Sequence, residues 1–249
     1  MYLRGQIRIF LLVVSAQLLA ARLFSQSSAE DSISFVKTEN NALDIYYHSE
    51  GDQSGLYNGF HYAGYSFVFA EGHPFFLTDK EQKGNICYDH VEYKQVDLQY
   101  DELKGVIIYK DENHRIQLLN ERISGFTIGD YKFIRLVPDS LSQNAPAAGF
   151  YNVIYEGKTS VLKKEIKAIR EIFSYSSGER TRVIDQQTIY YFKRHNEYTP
   201  VFSQKDLLNY FSQRKKDIQH YIKANKLDFK KDSDNLLVKV AAYYDQQTN

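Results

Sequence analysis

This chain has little cysteine and no tryptophan, since Cys87 is the single cysteine. One cysteine cannot form an internal disulfide, so a fold held together by internal disulfides is excluded. We interpret Cys87 as a buried, inert thiol in preference to a reactive or intermolecular one. The absence of tryptophan argues against a sugar-stacking platform built from the 21 tyrosines, which we expect in the core or in cross-strand pairs.

An excess of either charge is also missing, because the chain carries 31 basic and 31 acidic residues. Without a net field, the composition gives no indication of binding to nucleic acid or to an acidic membrane surface. The basic cluster Arg214–Lys216 could bind a polyanion or a lipid headgroup. Acids interleaved at Asp206, Asp217 and Asp228 favour a solvated helix face instead.

Sequence motifs for catalysis and metal binding are missing as well. No histidine has a helical i, i+4 histidine partner or neighbours a cysteine in the way that a structural zinc site needs, and there is no Gly-x-Ser-x-Gly elbow or phosphate-binding glycine loop. The carboxylate pairs Asp97/Asp101 and Asp111/Glu112 lie in predicted turns, where we expect solvated acids. The sequence therefore predicts no catalytic, cofactor-binding or metal-binding residue. The histidines are His48, His61, His73, His90, His114, His195 and His220.

No hydrophobic run reaches the roughly 20 residues that a membrane-spanning helix needs. The apolar stretch Ile9–Leu19 follows Arg4 and Arg8, and Arg22 interrupts its tail. This pattern predicts a cleaved signal peptide at residues 1–26, in preference to a retained anchor. Cleavage would leave a net charge of about −3. We therefore expect an exported protein, in the periplasm or associated with the outer membrane, with no transmembrane segment after cleavage.

A protein exported in this way could also carry a lipid, but that modification needs a cysteine at the cleavage site. No cysteine follows the apolar stretch until Cys87. An acylated lipoprotein start is therefore not expected.

Short strands joined by tight turns are predicted from Gly72 to Leu136. Apolar residues alternate there in segments bounded by turn residues, at the spacing of about 8–12 residues that is typical of all-β sandwiches and barrels. Connections this short cannot carry parallel crossovers, so the strands should pair antiparallel. The pattern predicts a mainly β fold, an antiparallel meander that forms a sandwich or a partly closed barrel.

Two irregularities are predicted within this region. The phase of the alternation changes between Tyr93 and Val96, which indicates a bulge or a connection at Lys94–Gln95. Asp89–His90 occupies the place of the Asp-Gly pair that favours a two-residue hairpin turn. We therefore expect a strained turn there, or one of another type.

Further strands are predicted on either side. The apolar segment Gly72–Leu77 and the aromatic segment Tyr62–Phe69 are both interpreted as strands, and Ile33–Phe35 and Leu43–Tyr47 could form short ones. Residues 163–187 have partial helical spacing of apolar residues but also fit a strand followed by a polar loop, so both alternatives stay open.

The last 47 residues change character and predict two amphipathic helices packed on the sheet or on each other. Ser203 is a plausible N-cap with Asp206 at the third helical position, Asn225 a natural stop, and Asp232 or Ser233 a second cap. The chain thus divides into a signal peptide (1–26), an antiparallel β domain (27–202) and a C-terminal helical segment (203–249). The apolar stripe of the first helix comprises Leu207, Leu208, Phe211, Ile218, Tyr221 and Ile222.

The chain resembles a family of uncharacterised exported proteins of Gram-negative bacteria, which share a signal peptide, a β-rich body and a two-helix tail. The resemblance covers most of the mature chain, but its motifs are turn and core positions, so it implies no catalytic residue. His90 stands where the family usually has glycine. The motifs are Gly72–Phe76, Tyr88–Asp89, Gly149–Tyr151, Tyr155-x-Gly157 and the helical tail Lys215–Tyr244.

Three functions are compatible with these patterns. The first is a non-enzymatic binding or structural protein of the envelope, with an unknown envelope protein as partner and no cofactor. The second is a carrier that holds a lipid or another apolar ligand in a curved sheet, which a large apolar cavity would favour. The third is a hydrolase with unrecognised carboxylates, which a cleft with converging acids would favour.

Overall fold

Eleven strands and three α-helices make up the described part of the chain in a computed structural model. The structure describes residues 54–111, 113–137, 146–176, 178–195 and 197–247. The strands are β1 (Phe60–His61), β2 (Gln82–Tyr88), β3 (Val91–Asp101), β4 (Val106–Lys110), β5 (Arg115–Gln117), β6 (Ile123–Ile128), β7 (Tyr131–Leu136), β8 (Gly149–Tyr155), β9 (Ser160–Phe173), β10 (Arg180–Arg194) and β11 (Glu197–Val201). The helices are α1 (Gln204–Tyr210), α2 (Lys215–Ala224) and α3 (Ser233–Gln247), with short 3₁₀ helices at Ser54–Tyr57, Asn120–Arg122 and Ser212–Arg214.

The mainly β prediction is confirmed, because the strands form one antiparallel sheet that stays open. None of the described helices is long and apolar enough to cross a bilayer. Several predictions concern the part of the chain that the structure leaves undescribed. These are the signal peptide at 1–26, the short strands Ile33–Phe35 and Leu43–Tyr47, and His48.

The strand order is β1-β5-β4-β3-β2-β6-β7-β8-β9-β10-β11, so the chain meanders outward in both directions from β2. Strands β5 and β6 are consecutive in the chain but four ladders apart in the sheet, which is about 19 Å across a flat sheet. The link Leu118–Arg122 contains a 3₁₀ turn and could barely span that distance. The sheet therefore curls between β5 and β6.

The hydroxyl of Tyr88 shows how closely the curl brings these strands together. It donates a hydrogen bond to the carbonyl oxygen of Asn58 at 2.5 Å and accepts one from the backbone N–H of Leu119 at 3.4 Å. Tyr88 ends β2, whereas Asn58 precedes β1 and Leu119 follows β5. One buried side chain thus bridges elements that lie far apart in the strand order.

Aromatic rings fill the inside of the curl. Phe126 stacks on Phe133 with ring centroids 4.6 Å apart, and Tyr100, Phe76 and Phe150 meet these rings edge to face at 5.0–5.6 Å. Such contacts stabilise aromatic pairs beyond the area they bury. This cluster is the main core of the strand-rich half.

Both predicted irregularities are found. One residue of β2 lies opposite two of β3 between the pairs Gly84↔Val96 and Ile86↔Tyr93, which confirms the bulge at Lys94–Gln95. Gln95 has φ 53°, and its N–H donates to the side chain of Asn85 at 3.0 Å. Asp89 and His90 have φ of 51° and 67°, as a two-residue hairpin turn requires. His90 therefore adopts the left-handed conformation that glycine usually occupies in such turns.

The strands predicted at Tyr62–Phe69 and Gly72–Leu77 are wrong. Beyond β1, this segment is irregular and touches the sheet through isolated bridges at Glu71 and Phe75. Pro74 lacks a ladder N–H and Gly72 has φ 77°, so neither favours a regular strand. We refer to Ala70–Phe76 below as the strap.

The ambiguous residues 163–187 belong to the longest hairpin of the described chain. Strands β9 and β10 pair without a register shift from Ser160↔Lys193 to Phe173↔Arg180. The partial helical spacing of the isoleucines therefore does not reflect a helix. It instead places isoleucines on both faces of a ribbon.

The C-terminal helices cover β9, β10 and β11, and the predicted burial of the tail stripe is confirmed. Phe211, 2% exposed, lies against Phe192 and Tyr244 with ring centroids 5.2 and 4.5 Å away. The second core also contains Val161 and Val201 from the sheet. It includes Leu207, Ile218, Ile222, Leu236, Leu237 and Val240 from the helices.

The tail has three helices where two were predicted. The cap at Ser203 is confirmed, because its hydroxyl accepts the N–H of Asp206 at 3.2 Å and donates to the Asp206 carboxylate at 2.8 Å. The first helix ends at Tyr210, and Phe211 leaves the helical conformation with ψ 36°. The stop at Asn225 is confirmed by its side chain, which donates to the carbonyl oxygen of Tyr221 at 2.9 Å.

Candidate functional site

The distal half of the β9–β10 hairpin, beyond the helices, carries the largest group of exposed apolar side chains in the described sheet. We call Ile166–Phe173 and Arg180–Gln187 the arm. Side chains on it are exposed by 38% at Ile166, 39% at Ile169 and 41% at Ile172, and Phe173 by 47%. Tyr175, in the turn that joins the strands, is 94% exposed. Exposed apolar groups concentrated in one place mark interaction sites in soluble proteins.

Ion pairs on both faces brace the arm. On one face Arg170 donates to Asp185 at 2.8 Å, and on the other Arg182 donates to Glu171 at 3.0 Å. Arg180 lies 3.7 Å from the same Glu171 carboxylate. The hydrogen bond from Arg170 lowers the pKa of Asp185. Both strands are therefore crosslinked by side chains as well as by their ladder.

The strap supports the arm along the outer edge of β10. The N–H of Ala70 donates to the carbonyl oxygen of Arg182 at 2.7 Å, and the N–H of Ile184 donates to that of Glu71 at 3.0 Å. The guanidinium of Arg182 lies 4.4 Å from the ring centre of Phe67. These contacts occupy the backbone groups that β10 would otherwise present there.

The outer edge of β9 has a different environment. Strand β8 pairs with β9 at Val161, Leu162 and Lys163, and its ladder ends there. Among the described residues, the ladder partners of Lys164–Phe173 all lie on β10. The arm thus offers the backbone of one strand edge together with exposed isoleucines.

A buried ion pair anchors the base of the arm. The ammonium of Lys167 lies 3.0 Å from the carboxylate of Glu102, with side chains 6% and 2% exposed. It also donates to the carbonyl oxygens of His73 at 3.1 Å and Phe75 at 2.5 Å. The backbone N–H of Glu102 donates to the carbonyl oxygen of Pro74 at 2.9 Å. One lysine therefore ties the arm to the strap and to the end of β3.

Burial raises the pKa of Glu102 to about 7, against the opposing effect of Lys167. The carboxylate of Glu165 adds to the increase, and the ammonium of Lys163 counteracts it. The pair is therefore sensitive to pH near neutrality.

A second polar cluster joins the hairpin to α3. Lys163 donates to Asp234 at 2.9 Å and lies 3.0 Å from Glu165, while Tyr190 donates to Asp234 at 2.5 Å. Gln186 donates to Glu165 at 2.6 Å. Burial alone would lower the pKa of Lys163, but the hydrogen bonds to its two carboxylates outweigh that effect and raise it. Each of these groups is bound, so the cluster holds the helix against the sheet.

A small space lies between the Lys167–Glu102 ion pair, the polar cluster around Lys163 and the aromatic core. A cavity of about 10 Å³ lies there, enough for about one water molecule. Its lining includes Glu102, Asn152 and Glu165 beside the rings of Tyr100 and Phe150. Side chains thus fill nearly all of the space between these groups.

An open groove of about 330 Å³ lies outside the curl, over β2, β6 and β7. Gly125 leaves space there between Cys87, Lys132 and Ile134. Cys87 is half-buried, so the expectation of a fully buried thiol is wrong. The side chain lies on the outer face of β2, whereas its neighbours Ile86 and Tyr88 point into the core.

The carboxylate pairs found in the sequence separate in the structure. Asp97 forms a surface ion pair with Lys83 at 2.9 Å, as a solvated acid would. Asp101 is fully buried, so the same expectation is wrong for it. It accepts hydrogen bonds from the hydroxyls of Tyr62 at 2.7 Å and Tyr65 at 2.8 Å. Asp101 thus fixes the segment that precedes the strap.

Asp111 remains a turn residue. It accepts hydrogen bonds from the Tyr57 hydroxyl and from the backbone N–H groups of Asn113 at 2.8 Å and His114 at 2.6 Å. The bond from Tyr57 lowers the pKa of Asp111. Glu112 lies outside the described residues. Among the residues described, no group of three or more His, Cys, Asp or Glu side chains could hold a metal ion.

Sequence reasoning missed Glu102, Lys167 and the exposed isoleucines. A lysine in a strand with alternating charges is usually solvated, so Lys167 gave no signal of burial. The sequence did contain a signal for the exposed isoleucines, because Ile166, Ile169 and Ile172 fit neither a one-faced strand nor a complete helical stripe. That ambiguity is typical of a ribbon that exposes both faces.

The chain matches no family model, no curated protein and no solved structure.

Proposed function

We propose that this chain is an exported, non-enzymatic binding protein of the bacterial envelope that presents the β9–β10 arm to a protein partner. The single observation that carries the proposal is the exposure of Ile166, Ile169, Ile172 and Phe173 on a braced ribbon. A two-stranded ribbon is marginal on its own. Ion pairs, the strap and the buried Lys167 support this one, so it can hold a fixed shape for a partner.

The alternative of an apolar-ligand carrier has less support. A lipid or a drug-sized ligand needs a cavity of roughly 300–1,000 Å³. The inside of the curl holds a cavity of about 10 Å³ beside rings such as Phe133 and Phe150. The groove over Gly125 is larger, but it is open to solvent on the outer face of the sheet.

The hydrolase alternative would require carboxylates that converge on a substrate cleft. Glu102 and Glu165 both line the small cavity, but each is paired with a lysine. Their positions fit the fastening of the strap and of α3. This supports a structural role for these acids within a binding protein.

The proposal can be tested by site-specific photocrosslinking in cells that export the protein. A benzophenone amino acid at Tyr175, on the turn of the arm, should crosslink to one discrete protein. The matched control places the same group at Phe202, which is 63% exposed and lies outside the arm. The control should give no such product.

Two results would overturn the proposal. One is the absence of any protein crosslink from Tyr175 or from a second arm position such as Phe173. The other is the same product from Phe202 as from the arm, since that would reflect abundance and not recognition.

A further inference from the structure

We propose that the partner of the arm is a second copy of this chain, bound through antiparallel pairing of β9 with its own symmetry mate. This inference rests on the proposed binding function and names its partner. The two arms would join the sheets of both copies edge to edge about a two-fold axis through Ile169. Homodimers with two-fold symmetry are the commonest closed assemblies, and each contributes the same patch.

The direction of the backbone groups on β9 follows from its neighbour. In an antiparallel ladder, the two residues of a non-hydrogen-bonded pair both point their N–H and C=O groups away from the partner strand. Arg182 and Ile184 bind the strap with these groups, so they point away from β9. Their ladder partners on β9 are Glu171 and Ile169. The N–H and C=O of those two residues must therefore point out of the free edge.

This geometry suits a two-fold axis at Ile169. An outward-pointing residue can form a hydrogen-bonded pair with its own copy, exchanging both N–H···O=C bonds. Because outward residues alternate, Lys167, Glu171 and Phe173 also present their backbone groups to the second strand. Free edges of this kind are templates for pairing with another chain.

The side chains match in the same register. With Ile169 opposite its own copy, Lys167 faces Glu171 of the second copy and Ala168 faces Arg170. Ile166 faces Ile172, so the exposed isoleucines meet one another at symmetric positions. Opposite charges and apolar pairs across strands are both favourable. Within each copy, Lys167 can stay paired with Glu102 and Glu171 with Arg182. The register requires only that no like charges face each other across the two β9 strands.

Neighbouring registers match less well. A shift of the axis to Ala168 brings Glu165 opposite Glu171 and Ile166 opposite Arg170. A shift to Arg170 places Ile169 opposite Glu171. Like charges directly across strands are destabilising, and an isoleucine opposite a charged residue has no apolar side chain to pack against. The register centred on Ile169 thus places isoleucine opposite isoleucine at the ends of the segment Ile166–Ile172 and opposite charges at Lys167 and Glu171, and Ala168 with Arg170 is its one pair of unlike residues.

The other edges of the described sheet are protected. Strand β1 consists of two residues, and β11 carries Pro200, which has no N–H to donate. The outer edge of β10 at the arm is covered by the strap. Along the arm, β9 is neither short nor interrupted by proline, and no other described segment pairs with its outer edge, which suits an edge meant for pairing.

The first experiment measures the mass of the purified protein by sedimentation equilibrium. The wild type should sediment as a dimer at about 100 µM and dissociate on dilution. Ile169→Lys would place two like charges on the axis and should give a monomer. The matched control Thr181→Lys adds the same charge to an exposed β10 position that points its backbone toward β9, and should remain dimeric.

The second experiment fixes the register in a Cys87→Ser background. Ile166→Cys with Ile172→Cys should give a disulfide-linked dimer under mild oxidation, because non-hydrogen-bonded pairs have Cα atoms about 4.5 Å apart. Within one chain the two positions are about 20 Å apart and cannot bridge. The mismatched pair Ile166→Cys with Arg170→Cys should crosslink much more slowly.

A wild-type protein that is monomeric throughout the concentration range, and whose matched cysteine pair does not crosslink, would overturn the inference. Equal crosslinking of the matched and mismatched pairs would overturn the register. If Ile169→Lys fails to fold, the cysteine pairs decide the question. A monomer whose Tyr175 position still crosslinks to a different protein in cells would leave the proposed function intact and remove only the second copy as partner.

Discussion

The two ends of the β9–β10 hairpin differ in burial although they belong to the same two strands. At the base, Val161, Tyr190 and Phe192 are buried beneath the C-terminal helices. On the arm, Ile169 and Ile172 remain about two-fifths exposed. Both ends contain apolar residues in a continuous ladder, so hydrophobicity alone does not distinguish core from surface. The difference lies in what is packed on each end of the described hairpin, which is the helices at the base and the strap with Glu102 at the arm.

The largest expected effect is at the base. Phe211→Ala should lower the free energy of unfolding by about 3–5 kcal/mol, because it removes a buried ring that contacts Phe192 and Tyr244. Urea unfolding followed by circular dichroism measures the change. Phe202→Ala, at an exposed position, should stay within about 0.5 kcal/mol of the wild type. Equal midpoints for both variants would mean that the Phe211 ring is not part of the second core.

The next effect is at the junction between base and arm. Lys167→Met leaves the Glu102 carboxylate buried without its partner, which should cost about 3–5 kcal/mol at pH 8. The loss should be smaller at pH 5, where Glu102 can be neutral. Adding Glu102→Gln should recover much of the stability at pH 8, which urea titrations at both pH values would detect.

The sign of the pH dependence follows from the raised pKa. Glu102 has a pKa of about 7 in the folded protein and 4.5 ordinarily, so the folded state binds more protons between these values. Its contribution to stability is therefore present below pH 4.5 and lost as the pH rises to 7. Glu102→Gln alone should flatten that part of the stability profile. A profile unchanged by the substitution would contradict the assignment.

A smaller effect is expected in the strap. Gly72 has φ 77°, and a Cβ there would lie 3.0 Å from the Cβ of Ile184. Gly105 has φ 68° with no atom within 4 Å of such a Cβ, so Gly105→Ala measures the backbone strain alone, about 1–2 kcal/mol. Gly72→Ala should lose more than Gly105→Ala in the same thermal unfolding assay. Equal losses would mean that the strap can move away from β10 freely.

The smallest effect is expected on the arm itself. Ile172→Thr should change the stability of the monomer by no more than about 0.5 kcal/mol, because the side chain is already partly in solvent. Val161→Thr, on the same strand but fully buried, should cost about 1–3 kcal/mol for its unpaired hydroxyl. Both are measured at protein concentrations low enough to keep the chain monomeric. A large loss from Ile172→Thr would show that the arm is part of the core.

Local patterns in the sequence were sufficient for the fold class, the bulge at Lys94–Gln95 and the cap at Ser203. These features depend on neighbouring residues, since alternation sets the faces of a strand and a cap needs groups three positions apart. The burial of the tail stripe was also predictable, because isolated amphipathic helices are marginal in water.

The tertiary structure decided the features that depend on distant residues. It buried Asp101 against Tyr62 and Tyr65. It also paired Lys167 on β9 with Glu102, which directly follows β3. It broke the first tail helix at Phe211, whose ring packs against Phe192. It also left Ile169 exposed, because strand alternation fixes which face a side chain points to but not what covers that face.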